Sequence, residues 1–401
     1  MLLPFDPRQF HDDVVELDAW YERLAARQTW AERGWPQRLR RELEAEAIAH
    51  STRIEGVPVT VDQVRRILGG DPPAEVAASD RDLVEGYRDA VVLAQRRADD
   101  PGFVWHRAEL IALQGSAMRG TPVAGALRGG EVYIARGSEV VFTPPPATQV
   151  PALLDAACER AEALGAGAHP ALAAAWIHVA VAAIHPFADG NGRTARLCTT
   201  LAMCRGGRPA PFASSLEEWW GNHTTDYYAA FGCLGSRFDD DADVTPFVAA
   251  HLRAQLAQAR ALDLREAAER RLWRLCAVLA ESHSLPERAG NALWEAFFGR
   301  EVSARYYGEV CDVSPATARN DLAALVAAGA FEASGRTRGR TYLPTGMAVG
   351  AIAERLDVDP GEDETAALRH RALAALADRV RAEASPAPGP PEGRGRISSR
   401  R

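Results

Sequence analysis

The chain reads as mostly α-helical, with a short β-hairpin near its middle and a winged helix-turn-helix toward its C-terminus. Three observations predict this. An apolar helical stretch, 171–184, leads into a glycine-rich loop, and helical periodicity resumes at Thr194 through Leu197, Leu201 and Met203. Two short strand-like runs, 128–134 and 139–142, flank a glycine turn, and Pro144, Pro145 and Pro146 end the second. Ser314-Pro315 opens a late helix that Gly329 caps, and a strand, a basic turn and a strand follow it.

Taken in order, helical patterning from about 12 to 97, broken at Gly69-Gly70-Asp71-Pro72-Pro73, defines an N-terminal helical region, 1–103. Within it, the helical stretch 39–49 runs into His50-Ser51-Thr52-Arg53-Ile54-Glu55-Gly56. Ser51 and Glu55 are four apart, so they share one face of a short helix that Gly56 ends. A core, 104–210, holds the hairpin, with its turn at Arg136-Gly137-Ser138, and the two helices around the loop. Trp219-Trp220, Tyr227-Tyr228 and Phe231 belong to a helical extension, 211–270, where they read as core packing. The segment 271–345 reads as helices over 271–282, 289–298 and 303–310, a turn at Asp312-Val313, a helix over 314–328 and the wing. An amphipathic helix over 365–384 lies in a C-terminal helical segment, 346–384, and the Pro/Gly/Arg/Ser-rich tail, 385–401, reads as disordered.

The loop and its flanks carry the chemistry: His185-Pro186-Phe187-Ala188-Asp189-Gly190-Asn191-Gly192-Arg193-Thr194-Ala195-Arg196. Gly190 and Gly192 let bare N–H groups approach an anion where a helix begins, so its positive end adds to the attraction. Arg193 and Arg196 lie three apart on that helix and can fork onto one polyphosphate. Asp189 is a hard oxygen ligand of the kind that holds Mg2+ beside phosphates. His185 can take a proton from a hydroxyl, and Asn191 offers an amide donor to a phosphate oxygen. At about one in twenty per position, such a combination arises by chance on the order of 10⁻⁹ to 10⁻⁸ per starting position.

The run matches the signature of Fic-domain proteins, His-x-Phe-x-Asp/Glu-Gly-Asn-Gly-Arg-x-x-Arg, without a departure. This resemblance implies a Fic helical core with a hairpin flap, and transfer of AMP from ATP, with Mg2+, to a Ser, Thr or Tyr hydroxyl of a target protein, the chain itself included. It implies His185 as the base and Asp189 as the metal ligand. Asn191, with the backbone of Gly190 and Gly192, would hold the α- and β-phosphates, Arg193 the β-phosphate and Arg196 the γ-phosphate, with Phe187 as apolar pin. The hairpin, through Val132, Tyr133, Ile134, Val140 and Val141, resembles the flap that clamps a target by strand addition. Ser51, Glu55 and Gly56 resemble the family's inhibitory motif, Ser/Thr-x-x-x-Glu-Gly/Asn, which implies that Glu55 pairs with Arg196 and blocks a productive ATP pose. In some members the same glutamate supports AMP removal. Gln114-Gly115 departs from the Leu-His pair of many relatives, and relatives that transfer phosphate alter the position held here by Gly190-Asn191-Gly192.

Composition sets outer limits. Hydrophobic residues at 47% and charged ones at 25% are those of a soluble chain long enough for two or three domains. The chain contains no lysine, which excludes a P-loop or Schiff-base mechanism. Six cysteines without Cys-x-x-Cys or metal spacing read as reduced thiols of a cytoplasmic protein, and no apolar run approaches membrane-spanning length. The formal net charge of −8 argues against a surface coated for nucleic acid. A local DNA module is left open: Thr317, Arg319 and Asn320 would face bases, and Arg336, Arg338 and Arg340 phosphates. Five arginines against four acids between 302 and 345 fit packing, homodimerisation or target docking as well. The alternative function is therefore a DNA-binding transcriptional regulator whose Fic core senses a nucleotide.

Overall fold

The computed structural model describes residues 2–26, 35–70, 72–208, 216–335, 340–359 and 364–383, and they are mostly helical with two small sheets. The chain divides into two compact units, one built on Met1–Glu22 and Arg40–Ala259, the other on Arg23–Leu39 and Arg260–Ala387. Among the described residues no helix is long and apolar enough to cross a membrane.

α1 (His11–Ala26) and α2 (Trp35–Ile54) each contribute residues to both units, most of them to the first, which continues with α3 (Val61–Leu68), α4 (Ala78–Asp99) and α5 (Arg107–Ala117). Thr60 and Gln63 form a reciprocal capping box on α3. The hairpin β1 (Ile134–Arg136) and β2 (Glu139–Phe142) follows, then α6 (Val150–Gly167), α7 (Pro170–Ile184), α8 (Asn191–Arg205), α9 (Leu216–Asn222) and α10 (Thr224–Ala230). α7 is apolar on every face and nearly all of it is buried, as expected of a central helix. It packs on α6 and α8, and α8 packs in turn on α4 and α5. α11 (Thr245–Ser282) spans both units.

The second unit continues with α12 (Gly290–Phe297), β3 (Val302–Ser303), α13 (Ala304–Cys311), α14 (Pro315–Ala327), β4 (Phe331–Ser334), β5 (Thr341–Pro344), α15 (Met347–Arg355) and α16 (Thr365–Glu383). Its strands form an antiparallel sheet in the order β3-β5-β4. Trp294, Phe297, Tyr307, Leu322, Leu325, Phe331 and Ile352 fill its core. Ser314 caps α14 by accepting from the Thr317 N–H at 3.2 Å, and Asp312, left-handed at φ 52°, makes the turn before it.

Several boundaries differ from the sequence reading. The first hairpin strand starts at Ile134 rather than Arg128, because Arg128 turns inward and the segment after it is irregular, so Val132 and Tyr133 lie outside the ladder. Ser51 lies on the last turn of the long α2, and Glu55 on the turn beyond it, rather than on a separate short helix. The expected boundary at 270/271 falls inside α11, which contains no glycine and no proline after Pro246 to break it. The expected helical extension is interrupted over 231–244, where Thr143 bridges Arg237. β3 was not anticipated, and the helical segment expected over 346–384 contains α15 as well as α16. Arg336, Arg338 and the tail 385–401 lie outside the described residues.

Candidate active site

The site forms where α7 ends and α8 begins. His185 closes α7 in the left-handed region (φ 49°, ψ 60°), its N–H donating to the Val181 carbonyl at 3.0 Å. A residue before proline favours extended backbone, so this conformation is imposed by its surroundings. The His185 Nδ1 lies 3.3 Å from the Ala182 carbonyl. Only an N–H can face a carbonyl, so Nδ1 carries the proton and the Nε2 lone pair is free to accept one. Burial lowers the His185 pKa, which keeps the ring neutral; the Ala182 carbonyl acts in the opposite direction.

Phe187, fully buried, pins the loop, and its backbone pairs with Leu127. Asn191 clasps it: Oδ1 accepts from the Phe187 N–H and Nδ2 donates to the Phe187 carbonyl, both at 2.9 Å. The amide expected to meet a phosphate thus braces the loop instead, because its buried oxygen and nitrogen satisfy an otherwise unpaired peptide. Gly190 sits at the N-cap of α8 with φ 82° and no side-chain cap, leaving the first N–H groups of the helix to a ligand. Asp189, 60% exposed, accepts from the Gly190 N–H and lies 3.6 Å from Arg193. Arg193 is 3% exposed, yet its Nε and Nη1 are buried without a hydrogen-bond partner. Unpaired buried donors at a helix N-terminus are the mark of a site shaped for an anion.

Arg196 lies one turn deeper and is fully engaged. Its Nε donates to Ser51 Oγ at 2.8 Å, Nη2 to the Ser51 carbonyl at 3.1 Å and to Glu55 Oε1 at 2.8 Å, and Nη1 to Tyr227 Oη at 3.3 Å. Burial opposes its charge, but Glu55, then Tyr227, Tyr87 and Glu217, outweigh that and hold its pKa above the ordinary arginine value. Behind it, Tyr227 Oη lies 3.0 Å from His178 Nε2, and His178 Nδ1 lies 3.0 Å from Thr199 Oγ1, whose own proton goes to the Ala195 carbonyl. That fixes the directions: His178 donates to Thr199, Tyr227 donates to His178, and the Tyr227 oxygen receives Arg196. Burial pushes Glu217, which accepts from Tyr87 at 2.7 Å, up to about 7, against the pull of Arg196. Glu55 also stands over the cradle: a methyl placed on Gly192 would meet its Oε1 at 2.3 Å.

With this geometry in view, the family comparison is decisive for one segment: residues 105–203 match the family model described as the Fic/DOC family. The chain carries a Fic/DOC domain. Among solved structures it is similar to a Fic family protein from Desulfovibrio desulfuricans, with 26% identity, a TM-score of 0.53, and coverage of 83% of this chain and 96% of that one. A Fic domain-containing signaling protein from Bacteroides thetaiotaomicron, at 20% identity and a TM-score of 0.51, shares the fold over 61% of this chain and 97% of its own.

The structure gathers the signature residues of this Fic domain, with Ser51 and Glu55 from α2 and the turn after it, at one place; Gly56 closes that turn at φ 84°. The flap residues it spreads out: Ile134 on β1, Val140 and Val141 on β2, Tyr133 exposed just before β1. In the second unit Arg319 and Asn320 are exposed on α14, Arg340 precedes β5, and Thr317 is half-buried with its N–H and hydroxyl tied to Ser314. Sequence reasoning missed Tyr227 as a partner of Arg196, and His178 as the residue behind Tyr227. It also missed Arg128, and it did not see that Gln114 anchors the loop, donating to the Asp189 carbonyl at 3.1 Å and accepting from Gly125 at 2.6 Å. The departure of Gln114-Gly115 from the Leu-His pair of many relatives was the available signal.

Proposed function

We propose that the protein transfers AMP from ATP to a Ser, Thr or Tyr hydroxyl of a target protein and that Glu55 holds this activity in check. The hydroxyl proton passes to His185 Nε2, the hydroxyl oxygen forms a bond to the α-phosphorus, and the bond from that phosphorus to the β-phosphate oxygen breaks, releasing pyrophosphate. The N–H groups at the start of α8 and the unpaired Nε and Nη1 of Arg193 suit the α- and β-phosphates. Arg196 suits the γ-phosphate once Glu55 leaves it. Asp189, an exposed carboxylate beside that cradle, fits Mg2+, which when bound neutralises charge on the phosphates. The exposed Val140 on the hairpin and Tyr133 just before it suit an extended target segment.

The observation that carries the inhibitory part is the 2.8 Å contact between Glu55 and Arg196, together with the position of Glu55 over Gly192. The test is intact mass after incubation with ATP and Mg2+ of wild type, Glu55→Gly and Glu55→Gly/His185→Ala. Gain of AMP by Glu55→Gly alone supports base, reaction and inhibition together. Equal gain by wild type and Glu55→Gly removes the inhibitory role, and no transfer to any protein in a lysate with α-labelled ATP removes the transferase.

For the second unit we read α13, α14 and the β3-β5-β4 sheet as a winged helix-turn-helix, on the strength of the capped α14 that follows the left-handed turn at Asp312. Arg288 and Tyr307 satisfy the buried Asp321 on α14, which fixes that helix and leaves Arg319 and Asn320 outward.

A further inference from the structure

Arg128 is 6% exposed, and its hydrogen bonds all go to main-chain carbonyls. Nε donates to the His185 carbonyl at 2.8 Å, Nη1 to Gly130 at 3.0 Å, and Nη2 to Pro145 at 2.5 Å and Ile184 at 3.5 Å. Two of these acceptors are the last carbonyls of α7 and its cap. The other two are the chain entering and the chain leaving the hairpin β1–β2. A buried guanidinium without a carboxylate on its fork is costly, and uncharged side chains could satisfy the same carbonyls. The charge therefore has work that hydrogen bonding alone does not explain.

Two physical effects account for it. A cation at the C-terminus of α7 complements the helix dipole and holds the His185 carbonyl in the orientation that the left-handed backbone requires. The same charge stands near the imidazole, where the other charged groups acting on His185 are Glu55 and Asp189, both of opposite sign.

We propose that Arg128 is the positioning residue that couples the hairpin to the catalytic base, fixing the His185 ring relative to the place where the hairpin holds its target. The inference rests on the transferase reading above. Removing the side chain leaves the backbone ties between this segment and the loop, from the Arg128 N–H to Pro186 and from Leu127 to Phe187, so the domain has other means of staying folded.

The test uses the full chain in the Glu55→Gly background, with Arg128→Gln and Arg128→Lys. AMP transfer gives kcat and the KM for ATP, and NMR of labelled histidine gives the His185 titration midpoint. Arg128→Gln is expected to lower kcat roughly 10- to 100-fold with the KM for ATP unchanged. Its His185 midpoint should move up, because a nearby cation has gone. Arg128→Lys should keep the parent midpoint and recover only part of kcat, since one ammonium cannot span carbonyls on both arms. Added guanidinium should restore part of the rate of Arg128→Gln. A parent kcat and parent midpoint in Arg128→Gln overturn the proposal, and so does a loss of rate matched by an equal loss of ATP affinity. If Glu55→Gly itself transfers no AMP, the transferase reading fails by that result, while an unmoved His185 midpoint in Arg128→Gln still overturns the role of Arg128.

Discussion

Glu55 and Arg196 form an ion pair whose halves are unequally buried, with the arginine side chain 1% exposed and the glutamate 21%. The asymmetry decides what each removal costs. Glu55→Gln can be hydrated and leaves Arg196 its bonds to Ser51 and Tyr227, so it should cost about 1 kcal/mol or less. Arg196→Met strands the Ser51 carbonyl and the Tyr227 oxygen in the interior and leaves Glu55 uncompensated, a loss of about 3 kcal/mol or more. Urea denaturation of both variants checks the difference, and equal losses would mean that Glu55 is as deeply held as its partner. Under the proposed AMP transfer the two should move oppositely: Glu55→Gln should gain activity, whereas Arg196→Met should have none. The ion pair was legible in the sequence only through the resemblance, which matches one end to the Fic signature and the other to the family's inhibitory motif. Tyr227, His178 and Arg128 were not legible, since their partners lie 31, 49 and 57 residues away and no local pattern links them. The left-handed His185 ran against the local rule for a residue before proline, and only tertiary packing overrides such a rule.

At the scale of elements, the proposed phosphate cradle is the start of α8, and Gly192 isolates it. This residue is helical, so alanine there should favour the helix by up to about 1 kcal/mol. Its methyl group would nevertheless stand 2.3 Å from Glu55 Oε1, so Gly192→Ala alone should push Glu55 aside. In the Glu55→Gly background that clash is gone, and the methyl group meets the flexible end of Arg196, with Nη1 at 3.2 Å, and any phosphate held by the bare backbone. There Gly192→Ala should raise the KM for ATP roughly tenfold, the loss of one hydrogen bond to a charged group, with the melting temperature unchanged or higher. An unaltered KM would place the phosphates elsewhere. Long elements with a consistent period, such as α7 and α14, were read correctly from the sequence. The errors came where one element continues without a breaker, as α11 does, or where a two-residue strand such as β3 exists only through its partner β5.

At the scale of the whole molecule, the unit that carries the Fic domain buries His50, His178, His251 and Glu217 together. Burial lowers the three histidines, His50 to about 4 with help from Arg53, His251 to about 3, and His178 well below its ordinary value. Burial raises Glu217 to about 7. As pH falls through about 6.5, the unfolded chain binds protons that these three histidines refuse when folded, and His169 and His185, also lowered by burial, act in the same direction, which destabilises the unit. Glu217 works the other way: between about 4.5 and 7 the folded unit holds a proton that the unfolded chain has lost, a stabilisation that disappears as pH rises through 7. The histidines outnumber Glu217, so near pH 5.5 unfolding should take up about two protons or more and stability should rise by about 2–3 kcal/mol per pH unit or more. Above pH 7 the dependence should fade. Hydrogen exchange of the α7 amides, corrected for the intrinsic effect of pH, reports this unit and measures the slope. Glu217→Gln should steepen it by about one proton, and His251→Gln should flatten it by about one. A flat profile between pH 5 and 6.5 would mean that the histidines protonate where they stand, and the dry interior that holds Tyr227 against Arg196 would then have to be wet.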